Sequence, residues 1–148
     1  MTATDMPIAQ TEMTNPSTIV TATGQGLRTI RWLVLINMAL VALQAISAGL
    51  FLSGSGRAVP VHGGVALALQ LGGVIQAITA LILWRRRRIP AWLAGVSIGL
   101  FVIVFLQAGL GYKKQYWLHV PLGVGLFGWL TRLSVRIETL SHTTRARS

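Results

Sequence analysis

Apolar residues gather into four runs along the chain, separated by short polar breaks. The first, Trp32–Leu52, is 21 residues without a charge. At about 1.5 Å of rise per residue, a helix of that length crosses a hydrocarbon core of about 30 Å. The loop Ser53–Val59 follows, with Gly54, Gly56 and Arg57. Pro60 suits the first turn of a helix, where its missing N–H would have no partner. A second run, about Val61–Trp84, stops at Arg85, Arg86, Arg87 and Arg88, and Pro90 restarts the chain into Ala91–Leu110. Gly111–Gln115 leads to the fourth and shortest run, Tyr116–Leu133, which contains Pro121 and ends near Arg132, a residue able to snorkel to headgroups. The pattern predicts an all-α membrane protein, an antiparallel up-down-up-down four-helix transmembrane bundle within residues 28–138. Residues 1–27, Thr-rich with Pro7, Pro16, Gly24 and Gly26, show no apolar period and predict a flexible cytoplasmic tail. Residues 139–148 predict a basic cytoplasmic C-terminal tail, so both termini are expected to be disordered.

Composition strengthens this picture. Hydrophobic residues make up 53% of the 148 positions and charged residues 11%, against about 25% charged in an ordinary soluble domain. Charge then sets a direction. Of 13 Lys and Arg, ten (Arg28, Arg31, Arg85–Arg88, Arg132, Arg136, Arg145 and Arg147) fall on one side of the predicted spans, and Arg57, Lys113 and Lys114 on the other. The positive-inside rule places the termini and the arginine block in the cytoplasm of a bacterial-type plasma membrane. Trp32, Trp84 and Trp92 lie at inner boundaries and Tyr112, Tyr116 and Trp117 at the outer one, as aromatic belts do. The arginine block reads as a contact for anionic lipid, not for nucleic acid, because the basic residues punctuate apolar runs.

The spans contain no Asp or Glu, and the chain has no Cys. Paired-carboxylate catalysis inside the bundle, thiol chemistry and thiolate metal sites are therefore excluded, and proton-coupled transport is disfavoured. Histidine remains. His62 and His119 open the second and fourth spans, so an up-down-up-down bundle sets both imidazoles at one depth near the outer face. Two facing imidazoles in a helical bundle can serve as axial ligands to a haem iron. His62 shares a helical face with Ala66, Leu69, Gly73, Gln76 and Ala77, and His119 with Gly123, Leu126 and Leu130. Asn37, Gln44 and Ala48 share one face of the first span, and Gln107 and Gly111 one face of the third. The competing reading is that Gly, Ala and Gln simply join helices without a cofactor. A short internal repeat links the two histidines: Leu43–Gln44–Ala45 precedes His62 by 18 residues from the glutamine, and Leu106–Gln107–Ala108 precedes His119 by 12. Each helical hairpin would then contribute one histidine to a pseudo-twofold bundle.

The stretch Leu106–Gln107–Ala108–Gly109–Leu110–Gly111, a short loop, then Leu118–His119 with small and apolar residues after it, resembles a hairpin of the heme A synthase family. That resemblance implies one half of a pair of fused four-helix bundles, with His62 and His119 matching a haem-ligand pair on the second and fourth helices. Two departures bear on activity. The loop Ser53–Val59 has neither the carboxylate nor the cysteine pair of the family's first outer region, and Gly63 follows His62 where Arg is usual. Oxygenase activity is therefore not implied, and an enzymatic role is left open. The expected function is binding of one haem b through His62 and His119, with Gln44 and Gln107 lining the pocket near propionates or a quinone carbonyl, in electron transfer or respiratory-complex support. The alternatives are a cofactor-free membrane scaffold or accessory subunit and, more remotely, a small-solute transporter. Expected partners are the lipid bilayer, a respiratory-chain or membrane subunit, and a further copy of this chain. His142, in the polar tail, is expected to take no part.

Overall fold

The computed structural model describes the backbone of residues 16–145 and the side chains of residues 24–143; the remaining parts of both predicted tails lie outside the described residues. Four helices occur in order: α1 (Pro16–Leu52), α2 (Ala58–Arg85), α3 (Ala91–Tyr112) and α4 (Tyr116–Arg145), with no strand among the described residues. Three are long and apolar enough to cross a membrane: α1 over Gly24–Leu52, α2 and α3. The second half of α4 carries Arg132, Arg136 and Glu138, which lowers its apolarity below theirs.

Helix extends into both segments expected to be tails. α1 begins at Pro16, and Leu27 and Ile30 are buried with Val34 in the core. Gly26 lies so close to the backbone of Arg88 that a Cβ there would stand 2.7 Å from its carbonyl oxygen. The apolar rhythm of α1 thus starts before Arg28, inside the segment expected to be a tail. At the other end α4 continues to Arg145, and Leu140 packs on the core.

The three interhelical turns share one construction. In each, the last helical turn closes with a pair of hydrogen bonds of the Schellman type: Gly54 N–H to Phe51 C=O with Ser55 N–H to Leu50 C=O, Arg87 N–H to Trp84 with Arg88 N–H to Leu83, and Lys114 N–H to Gly111 with Gln115 N–H to Leu110. The motif needs one residue in the left-handed region. Gly54 meets that requirement at φ 92°, but the other two turns use Arg87 at φ 54° and Lys114 at φ 57°. A side chain in that conformation costs about 1 kcal/mol relative to glycine. A cation at a helix C-terminus returns about 0.3–1 kcal/mol through the helix dipole.

Buried positions recur every three or four residues: Leu27, Ile30, Val34, Asn37 and Val41 on α1; Leu69, Gly73, Gln76 and Ala80 on α2; Leu93, Ser97, Leu100 and Val104 on α3; Leu126, Leu130, Leu133 and Ile137 on α4. That spacing gives each helix one seam facing its neighbours. α1 packs on α2 and α4, and α3 bridges α2 to α4, most thinly at α4; α2 and α4 stand diagonal to one another. The seams hold polar groups while the outer faces stay apolar. Asn37 Nδ2 donates to Gln76 Oε1 at 2.8 Å, and Gln76 Nε2 to Ser97 Oγ at 3.4 Å, joining three helices through side chains at most 4% exposed. Asn37 Oδ1 lies against Gly72, where a Cβ would collide with it. Outside, Trp32, Ile46, Leu67, Leu71 and Leu106 are each more than half exposed.

Candidate functional site

His62 and His119 meet at the end of the molecule where the α1–α2 and α3–α4 turns lie. Their ring centres are 6.4 Å apart, with the ring planes at 65°. Neither helix backbone closes that distance; the side chains reach across the diagonal between α2 and α4. The face that carries His62 also carries the buried Leu69, Gly73 and Gln76, and that of His119 the buried Leu126 and Leu130. Both imidazoles therefore turn inward for the same reason: the face they share is the one packing requires.

The α3–α4 hairpin holds His119 in a reciprocal clamp. Gln107 Nε2 donates to His119 C=O at 2.6 Å, and His119 Nδ1 lies 2.9 Å from Gln107 C=O. A carbonyl only accepts, so Nδ1 carries the proton and the lone pair resides on Nε2. The ring lies on the bare Cα of Gly111, where a Cβ would stand 2.9 Å from His119 Cε1. Gly123 similarly admits the Gln107 amide, whose nitrogen would be 2.7 Å from a Cβ there. Gln107 Oε1 is buried without a partner and calls for an O–H or N–H donor.

The α1–α2 hairpin repeats the clamp with one insertion. Oriented with its nitrogen toward His62, the Gln44 amide donates to His62 C=O at 3.0 Å and accepts from Ala66 N–H at 3.0 Å. Ser47 stands between glutamine carbonyl and imidazole: its hydroxyl donates to Gln44 C=O at 3.1 Å, and Oγ lies 3.0 Å from His62 Nδ1. The Gln44 amide nitrogen is also 2.9 Å from Nδ1. His62 can therefore hold its proton on Nδ1, donating to Ser47, or accept there from Gln44. Its surroundings satisfy either tautomer.

Gln44 and Gln107, expected to line a pocket, bind the main chain of the two histidines through their amide nitrogens. Ser47 escaped sequence reading, though it lies three residues past Gln44 and thus on nearly the same face. His142, at the far end of α4, lies 4.0 Å from Glu138 and away from the pair. Nε2 of His62 and of His119 has no hydrogen-bond partner among the described residues. No group of three or more His, Cys, Asp or Glu side chains comes together among the described residues. Chemically, the site offers two imidazoles with Nε2 unengaged and one orphaned amide oxygen. Comparison of the chain with protein-family models, with curated proteins and with solved structures finds no match.

Proposed function

We propose that this chain is a four-span membrane protein that binds one haem b through His62 and His119, near the outer face of a bacterial-type plasma membrane, for electron transfer or support of a respiratory complex. The observation that carries the reading is the imidazole pair 6.4 Å apart across the α2–α4 diagonal, each Nδ1 engaged by protein and each Nε2 left over. Metal–imidazole bonds of about 2 Å on opposite sides of one ion separate ring centres by about 6 Å. The ligand count points the same way. A metal ion held by protein alone takes about four ligands, whereas a macrocycle brings its own equatorial set and asks the protein for two axial ones. When bound, haem supplies one-electron chemistry. The protein's part would be to hold the two rings, His119 through Gln107 and Gly111 and His62 through Ser47 and Gln44. The resemblance of the Gln107–His119 hairpin to one of the heme A synthase family agrees with this reading.

The membrane part of the proposal rests on polarity turned inside out: buried Asn37, Gln76 and Ser97 against exposed Trp32, Leu67 and Leu106. Without water outside, apolar surface carries no penalty and polar groups pair within the bundle. In this arrangement the first half of α4, with Val120, Val124 and Trp129 exposed, forms the fourth span. The arginine turn and both termini face the cytoplasm. The chain lacks native cysteine, so single substitutions report cleanly. Ser55→Cys and Lys113→Cys are expected to react with an impermeant maleimide on intact cells and Arg87→Cys to stay protected; labelling at 87 overturns the topology.

For haem, protein purified in mild detergent from haem-replete cells is expected to be red, with the reduced-minus-oxidised bands of a six-coordinate b-type centre. Colourless protein that takes up no added haemin overturns the assignment. One feature favours a second reading, an accessory subunit without cofactor: Gly95 and Gly99 lie exposed one turn apart on α3 with open space around them, the small-xxx-small pattern of close helix contact. A stable partner retained by colourless protein is the outcome that selects it.

A further inference from the structure

Opposite the histidines, a cavity of about 430 Å³ opens beside the α2–α3 turn. Ligand pockets run from about 300 to 1,000 Å³, so the space is of ligand size. Among the described residues its floor is Leu27, Ile89, Pro90 and Leu140, and its rim is Trp84 and Arg87. Leu27 and Ile89 are buried core residues, whereas Trp84 and Arg87 are exposed. The site is therefore two-part, a fixed apolar floor with one cation and one indole at its mouth.

The backbone at Arg87 is the second observation. All three turns use the same left-handed stop, and only the first places glycine there. Lys114 occupies the matching position in the α3–α4 turn, so a cation at a helix C-terminus accounts for part of the choice. Arg87 differs from Lys114 in bordering a cavity. The conformation that glycine would adopt freely is held by arginine, at a residue that borders an apolar chamber. Observed strain at a residue with ligand-binding chemistry is grounds for a functional hypothesis.

We propose that this cavity is a binding site for an anionic phospholipid, one acyl chain entering over Leu27 and Ile89 while the phosphate meets the Arg87 guanidinium and Trp84 lies at the interface. Charge supports the occupant: the turn carries four consecutive arginines, Arg85–Arg88. Arginine binds phosphate through its planar fork and a ring of indole suits the headgroup level. The inference rests on the membrane reading above but not on haem. Its test is done in detergent, so failure here leaves the alkylation result untouched.

Full-length protein is incubated with equimolar dioleoylphosphatidylglycerol and dioleoylphosphatidylcholine and examined by native mass spectrometry, with inorganic phosphate as a third probe. One phosphatidylglycerol is expected to be retained at a concentration at least tenfold below that needed for phosphatidylcholine, with no phosphate adduct. Arg87→Gly keeps the left-handed turn, so it is expected to fold with an equal or higher thermal midpoint and to lose at least tenfold in phosphatidylglycerol retention. Lys114→Gly should share the first effect without the second. Ala91 also lines the cavity, and Ala91→Phe, which adds bulk there with Arg87 intact, is expected to weaken retention as well. Equal retention of both lipids would reduce the cavity to an unspecific apolar surface, and a phosphate adduct of equal strength would make it a free-anion site. Either result overturns the proposal, as does unchanged binding in Arg87→Gly or Ala91→Phe. Binding seen only after deletion of residues 1–15 also overturns it, since the chain's own N-terminal segment would then be the occupant.

Discussion

In the α3–α4 hairpin the imidazole of His119 donates directly to a main-chain carbonyl, whereas in the α1–α2 hairpin a serine hydroxyl stands between the corresponding carbonyl and His62. Both hairpins anchor the histidine's own carbonyl with a glutamine amide. The difference is in the proton. One hairpin dictates the tautomer of its histidine and packs the ring on Gly111; the other accepts either tautomer. Two similar clamps thus hold one histidine in a fixed tautomer and leave the other adaptable. The adaptable one settles its tautomer when something engages Nε2.

The comparison breaks first if the histidines do not act together. His62→Ala and His119→Ala are each expected to abolish the six-coordinate spectrum, with the double variant no worse than haem-free, while His142→Ala leaves the spectrum unchanged. Two independent, additive losses of stability without spectral change would mean that the rings are only packing residues. Next in size is Gly111→Ala. Its methyl group would stand 2.9 Å from His119 Cε1 and 3.1 Å from Nδ1, so the ring must swing and its bond to Gln107 C=O is lost. Overpacking of this kind costs about 1–3 kcal/mol, read as a lower melting temperature in detergent together with weaker haem retention. The matching residue of the other hairpin is Ala48, already a methyl-bearing residue, and Ala48→Gly should cost no more than about 1 kcal/mol.

The smaller effects sharpen the contrast. Ser47→Ala removes the hydroxyl's bonds to Gln44 C=O and to His62 Nδ1, about 0.5–1.5 kcal/mol each, and leaves the Nδ1–H of a ligating His62 without its acceptor. Haem should be retained while the midpoint potential moves, because a ligand whose Nδ1–H is unsupported is a weaker donor. An unchanged potential would show that the serine is only a space filler. Glu138→Gln is the mildest. It breaks the 2.9 Å pair with Arg31, but both side chains are more than a third exposed, so thermal unfolding should register about 1 kcal/mol or less.

Much of this was readable before any coordinates. The long charge-free runs of α1, α2 and α3 specify helices by length and apolarity, and helical spacing turns His62 toward Leu69, Gly73 and Gln76. The level of the two histidines followed from chain direction alone. What escaped is what depends on another element or on backbone conformation. Leu27 looks like part of a polar tail until the α2–α3 turn and α4 supply its partners. Arg87 and Lys114 stand where glycine is the ordinary choice, so no turn signal marks them as left-handed. Gln44 and Gln107 were legible as inward-facing, but which atoms they would reach was not. Hydropathy records that a side chain leaves water and is silent about whether it meets an imidazole or a carbonyl.

One further consequence concerns order in time. α4 packs more extensively on α1, the far end of the chain, than on its sequence neighbour α3. The links across that seam are Arg31 to Glu138, 107 positions apart, and Thr131 to the Met38 sulfur, 93 apart. Contacts of such separation form late, since the intervening chain must first be arranged. During synthesis, α1 and α2 can pair and receive α3 through Asn37, Gln76 and Ser97 while His62 waits alone. His119 arrives with the last helix, so the two rings come face to face only when the ring of helices shuts, and a ribosome that stops before residue 116 releases a chain that holds half a site.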